Sequence, residues 1–277
     1  PKLKMPIKRI WPNTERVLSN SGIVKTRNSV SVAIFLVLVL IPSLFVAFPA
    51  VSAIASGTLS DAFGSVGVWQ GYWQSLGLSY FIGVIVTLLN VIVGLPMAVL
   101  IARKRMGKVL PAILDILVNV PLIVPSIALG ASLSIFWKNF AFIPEIGLLV
   151  FAHLSITYPY FVRAMSAAIE RIDIDLEDAS RILGAKPFTV FKTIILPLTK
   201  YSLFAGAIMM FARSVDETGA TLAVVTTLKT APILLVDWVK HLTATPLEIG
   251  LGCAFLIIFS FVVLLVLRLI VRGRGRY

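Results

Sequence analysis

The sequence predicts an all-α integral membrane protein with six transmembrane helices and a short cytoplasmic helix set in a hydrophilic loop. Three observations carry this expectation. Hydrophobic residues make up 58% of the chain and charged residues only 14%, whereas soluble domains average roughly 25% charged. The apolar residues gather into runs of about 20 residues or more, the length that crosses hydrocarbon. Basic residues cluster at the ends of those runs, densely on one side and sparsely on the other. The net charge of +12 therefore reflects membrane topology and does not point to nucleic acid.

The elements follow in order. Residues 1–28 form a polar, basic tail carrying Lys2, Lys4, Lys8, Arg9, Arg16, Lys25 and Arg27. The first crossing is expected near 30–53, bent by Pro42 and Pro49. Its end, Val51-Ser52-Ala53, resembles a signal-peptidase site, but the run is longer than a signal h-region of about 7–15 residues. A retained helix is expected. Residues 57–78 hold one charge, Asp61, and the aromatic set Trp69, Tyr72 and Trp73, which reads as a surface helix at the outer interface. Further crossings are expected near 79–101, 109–137, 146–166, 198–216 and 245–268. The third contains Pro121 and Pro125, which bend or tilt it. Residues 29–277 thus form one six-helix membrane domain, interrupted by a loop at 167–197.

Charge asymmetry sets the orientation. With the N-terminus inside, the cytoplasmic side receives seven Lys/Arg in the tail, four at 102–108, six at 163–200 and four after Leu267. The outer side receives Lys138, Lys229 and Lys240, and Arg213 is left at membrane depth. A split of 21 to 3 places both termini and the 167–197 loop in the cytoplasm.

That loop contains a hydrophilic island, Leu176–Pro197. Leu176, Ala179, Ile182 and Leu183 share one helical face. Asp175 with Asp178 makes a variant capping box, Gly184 suits the position just past the helix end, and Pro187 suits the first residue of the next. A helix of about eight residues is marginal alone in water. With a charged polar face it fits another protein better than lipid.

The same residues resemble the cytoplasmic loop of ABC-importer permeases, whose pattern is Glu-Ala-Ala, three residues, Gly, nine residues, Ile-x-Leu-Pro. Asp178-Ala179-Ser180, Gly184 and Ile194-Ile195-Leu196-Pro197 match it in spacing, with Asp for Glu and Ser for the second Ala. The resemblance runs from about Ser79 to the C-terminus and includes Pro121–Gly130 and Ala212–Val224. It implies a permease subunit in the cell inner membrane, with a second permease chain (same or paralogous), cytoplasmic ABC ATPase subunits and an external solute-binding protein as partners. It implies no cofactor, no metal and no catalysis by this chain, since ATP is hydrolysed on separate subunits. Glu177, Asp178, Ala179, Ser180, Ile182, Leu183, Gly184 and Pro197 are the expected coupling residues, with Ala179, Ile182 and Leu183 buried in the ATPase. Leu183-Gly184-Ala185 departs from the Asp-Gly-Ala of sugar importers. It looks like the branch that handles molybdate, sulfate, ferric iron, phosphonates, thiamine or polyamines, and Glu217–Leu222 resembles the oxyanion members most.

The residues themselves agree with a chain that hydrolyses nothing. No phosphate-binding glycine loop, nucleophile elbow, catalytic carboxylate pair or metal cluster stands out. The single cysteine, Cys253, excludes an internal disulfide. His153 and His241 lie far apart and read as packing or polar lining residues. Asn90 and Asn119 either line a path or bridge helices. The alternative is an ion-gradient-driven secondary transporter, which would bury ionisable residues mid-membrane and often carry an inverted repeat. No such repeat is evident.

A candidate gate lies at the outer end of the fifth crossing: Arg213, Asp216, Glu217 and Thr218. Arg213 can pair with Asp216 at i+3 and Glu217 at i+4. These residues either end the helix at the interface or gate a path for an anion. Pro121 and Pro125 are likewise either kinks or a break that lines the path.

Overall fold

Bilayer-length apolar runs become helices because a backbone in hydrocarbon must satisfy its own hydrogen bonds. The computed structural model describes residues 21–45, 47–104, 107, 109–140 and 142–273. The tail at 1–20, with Arg105, Lys108, Arg274 and Arg276, lies outside the described residues. The remainder of the expected tail, from Ser21, is already helix α1 (Ser21–Phe35), which continues through a wide turn (Leu36–Leu40) into α2 (Ile41–Phe45). No residue of Ser21–Leu40 is buried. The arm is followed by α3 (Ala47–Ser56) and α4 (Thr58–Phe63).

Of the aromatic set expected at the outer interface, Trp69 and Tyr72 are instead core and Trp73 is half-buried. Trp69 and Tyr72 are fully buried with Trp238 and Phe255. Trp69 meets both Tyr72 and Trp238 edge-on at 5.3 Å. Two of the three polar tips find a partner inside: Tyr72 donates to the Gly252 carbonyl (2.7 Å) and Trp73 to that of Ala62 (2.9 Å), while the Trp69 indole N–H is buried without a hydrogen-bond partner among the described residues. Burying a Tyr or Trp ring is tolerated best when its tip is satisfied, as for Tyr72 and Trp73. The second crossing consequently starts earlier than expected, as α5 (Tyr72–Arg103), 32 residues or about 48 Å long.

The third crossing is not one tilted helix. It is α6 (Val109–Ile123) and α7 (Ser126–Trp137), bent by 109°. Pro121 stays inside α6 and Pro125 sits at the break, where a proline bars its predecessor from the helical region. Then follow α8 (Glu145–Glu170), α9 (Ile174–Ile182) and α10 (Pro187–Val190). A wide turn (Phe191–Ile195) leads directly into α11 (Leu196–Val215). The fifth crossing is thus continuous from Pro187 to Val215, and Pro197 lies within it rather than at its entrance. The wide turn accommodates the hydrogen bond that Pro197 cannot donate. The chain ends with α12 (Gly219–Val224), α13 (Ala231–His241) and α14 (Pro246–Gly273). Thr245 and Glu248 form a reciprocal capping box at the start of α14. Five described helices are long and apolar enough to cross a membrane, or six spans with the α6–α7 pair.

At the centre, α8 packs against α5 and α11. Fully buried Phe161 fills the space left by Gly94 and Gly206: a Cβ on those glycines would approach its ring to 2.7 and 3.1 Å. Small residues permit such close helix approach in membranes. A Gly94→Leu substitution should therefore destabilise the fold by about 1–3 kcal/mol. Gly77→Leu, in the same helix with open space around it, should leave the midpoint of thermal unfolding in detergent unchanged.

Candidate functional site

Two regions hold the expected site residues, one at each end of the helix bundle. In the first, Asp173 rather than Asp175 caps α9: its carboxylate accepts from the Asp175 amide at 3.1 Å. Asp173 keeps an extended backbone while Asp175 is already helical, so only the former is free to cap. The other end is as expected. Gly184 has φ +88°, its amide donates to the Arg181 carbonyl (2.9 Å) and that of Ala185 to Ser180 (3.0 Å), a Schellman closure.

The polarity of α9 is inverted with respect to its own chain. Ile182 and Leu183 are 85% and 88% exposed, and Leu176, Asp178 and Ala179 are exposed beside them. Glu177 is 1% exposed and turned inward, forming an ion pair with Arg103 Nε at 2.6 Å. Glu177 therefore does not share the outward face expected of a coupling contact. Ser180 is half-buried, its hydroxyl donating to the Glu177 carbonyl (2.7 Å). Pro197, inside the fifth crossing, is separate from the α9 surface. The exposed apolar residues extend to Phe188 in α10.

The second region lies around the C-terminal end of α11. Arg213 pairs with Glu217 at 2.5 Å, Glu217 being 1% exposed. Asp216 is exposed and is not the partner. The helix ends at Val215, and the turn into α12 carries Glu217 inward, where its Oε1 also accepts from the Ala220 amide (2.9 Å). Thr218 takes the N-cap position of α12 without a capping bond from its side chain. α12 lies against α7 so closely that a Cβ on Gly130 would come within 2.6 Å of Ala220 Cα. The break at Pro125 thus brings α7 alongside the α12 segment, while Pro121 lines an apolar cavity of about 480 Å3 with Met97, Val118 and Phe151.

A polar network that motif spacing does not reveal joins these elements. His153 is buried, with Nδ1 2.9 Å from Ser214 Oγ and Nε2 2.7 Å from Thr221 Oγ1. Thr157 donates to the His153 carbonyl (2.7 Å) and accepts from Asn90 (2.7 Å). The residues link α5, α8, α11 and α12. The only sequence signal was His153 and Thr157 at i and i+4 on one face. Asn90 and Asn119 bridge helices: Asn119 accepts from Arg163 of α8 at 2.9 Å. At the N-terminal end of α8, Glu145 accepts from the amides and hydroxyls of Thr226 and Thr227. Among the described residues, no three His, Cys, Asp or Glu side chains come together in a metal-holding group.

Comparison with known proteins agrees with this geometry. Residues 94–274 match the family of binding-protein-dependent transport system inner membrane components. The chain is 34% identical over 167 residues to the molybdenum transport system permease protein ModB of Escherichia coli (strain K12), covering 55% of this chain and 72% of that protein. To the molybdate/tungstate transport system permease protein WtpB of Pyrococcus furiosus it is 29% identical over 207 residues, covering 73% and 79%. Its fold is similar to a chain of the MetNI methionine ABC transporter in inward-facing conformations. The TM-score is 0.61 at 20% identity, over 76% of this chain and 96% of that one. The family match sets aside the secondary-transporter alternative: the chain belongs to the binding-protein-dependent transport system inner membrane components, the permease subunits of ABC importers.

Proposed function

We propose that this permease carries a small oxyanion of the molybdate or tungstate type into the cytoplasm, driven by separate ATPase subunits and supplied by an external solute-binding protein. The observation that carries the coupling half of this reading is the inverted polarity of α9: Ile182 and Leu183 are almost wholly exposed on a short helix that needs a partner to cover them. The substrate half rests on the names of the relatives. Both termini and α9 face the cytoplasm, on the charge asymmetry, and a second permease chain completes the path. Closure of the ATPase dimer on ATP displaces α9, and α8 and the Pro187–Val215 helix, joined to it by short turns on either side, move in turn. At the far end, α12 and the break at Pro125 open as the external gate. The Arg213–Glu217 pair holds that gate shut, and its release leaves Arg213 free to meet an anion.

Uptake of labelled molybdate into proteoliposomes containing the permease, its ATPase and its binding protein tests the whole; ATP-independent uptake, or none, overturns it. Ile182→Asp should cost about 2 kcal/mol or more of ATPase affinity, roughly thirtyfold, measured by co-elution in detergent. Unchanged affinity would remove α9 as the docking element. In a Cys253→Ser background, a cysteine replacing Lys186 should react with an impermeant maleimide only in inverted vesicles. For the gate, Arg213→Ala alone would strand buried Glu217 at a cost of about 3–5 kcal/mol. The paired Arg213→Gln/Glu217→Gln variant avoids this and should lower transport about tenfold or more while assembly persists. Transport at the wild-type rate would leave these residues as a helix end only.

A further inference from the structure

The Arg103–Glu177 pair has properties that a docking surface does not require. Its side chains are only 5% and 1% exposed, on a loop whose other acids, Asp173, Asp175 and Asp178, are exposed. Arg103 is the last residue of α5, and its Nη1 also donates to the Ile172 carbonyl (3.2 Å), in the connection between α8 and α9. One guanidinium therefore holds the end of α5 to both α9 and the strand of chain that delivers it. α9 has few other means of gripping the bundle, since most of its apolar residues point outward.

α5 itself reaches the opposite side. Ala98 and Ile101 pack with Met165 and Ile169 of α8 near its cytoplasmic end, and Asn90 joins Thr157 of α8 midway. Near its outer end, Ser79 Oγ accepts from the Ala231 amide that begins α13 (2.9 Å), and Tyr72 is buried against Trp238. A single unbroken helix thus connects the cytoplasmic ion pair to the outer aromatic cluster.

We propose that Arg103 and Glu177 are positioning residues that tie α9 to α5, so that movement of the docking helix enters the membrane domain through α5 and reaches α13 on the outer face. This rests on the docking role of α9 proposed above. A buried pair suits the task because separating it costs two buried charges their mutual compensation in a medium of low dielectric, so the two helices move together.

The test uses the reconstituted complex of permease, ATPase and binding protein, comparing wild type with Arg103→Gln, Glu177→Gln, the exchange Arg103→Glu/Glu177→Arg and the apolar pair Arg103→Met/Glu177→Leu. Readouts are ATPase co-elution, hydrolysis stimulated by the binding protein, and molybdate moved per ATP. In the single variants co-elution should stay within about twofold while molybdate per ATP falls about tenfold. The exchange should recover most of that loss. The apolar pair, a replacement that commonly preserves stability, should keep the wild-type unfolding midpoint yet remain uncoupled. Wild-type coupling in the single variants or the apolar pair would overturn the proposal. So would loss of ATPase co-elution in Glu177→Gln, which would make Glu177 a docking contact. If the wild type moves no molybdate, the substrate reading falls and stimulated hydrolysis judges the ion pair by the same pattern.

Discussion

Fully buried Phe161 stands between α5 and α11 only because Gly94 and Gly206 present no side chain to it. That close approach fixes α8 as the central helix, and the rest of the molecule is placed by it. Within a bilayer the hydrophobic effect does not draw helices together, so shape complementarity and interhelical hydrogen bonds do so. Phe161 supplies the first, and Thr157 and His153 of the same helix supply the second, bonding to Asn90 of α5, Ser214 of α11 and Thr221 of α12. The outer surfaces of the helices, such as Leu88 and Ile92 of α5, remain exposed, as a lipid-facing surface requires.

From that centre, order passes outward through small, interrupted elements. The 109° bend at Pro125 would leave polar backbone unprotected in lipid. It is covered because α12 seats against α7 at Gly130 and Gly219. His153 ties this arrangement to the central helix through Ser214 and Thr221. The buried charge of Glu217 is tolerable in the same place because Arg213 and the Ala220 amide both face it. The broken helices are in this way anchored to an unbroken one.

At the end of the bundle that carries α9 the distribution of polarity is reversed. α9 points apolar side chains away from its own bundle and an acid toward it, the opposite of what a monomeric soluble surface would select. Such an arrangement is stable when another protein covers the apolar face. The family to which the chain belongs, whose members function within larger transport systems, agrees with that requirement.

What the sequence determined by itself were the quantities set by local chemistry. Run length gave the approximate crossings, helical period gave the shared face of Leu176, Ala179, Ile182 and Leu183, and Gly184 and Pro187 marked where one helix stops and the next begins. Tertiary structure decided whatever depends on residues far apart in the chain. Whether Trp69 and Tyr72 lie at an interface or in a core depends on Trp238 and Phe255. Glu177 turns inward because Arg103, at the end of another helix, is there to receive it. Asp216 and Glu217 are nearly equivalent in spacing from Arg213, and the turn into α12 selects the second by burying it beside the Ala220 amide. Periodicity identifies a helical face, and only the neighbours packed around the helix decide which way that face points.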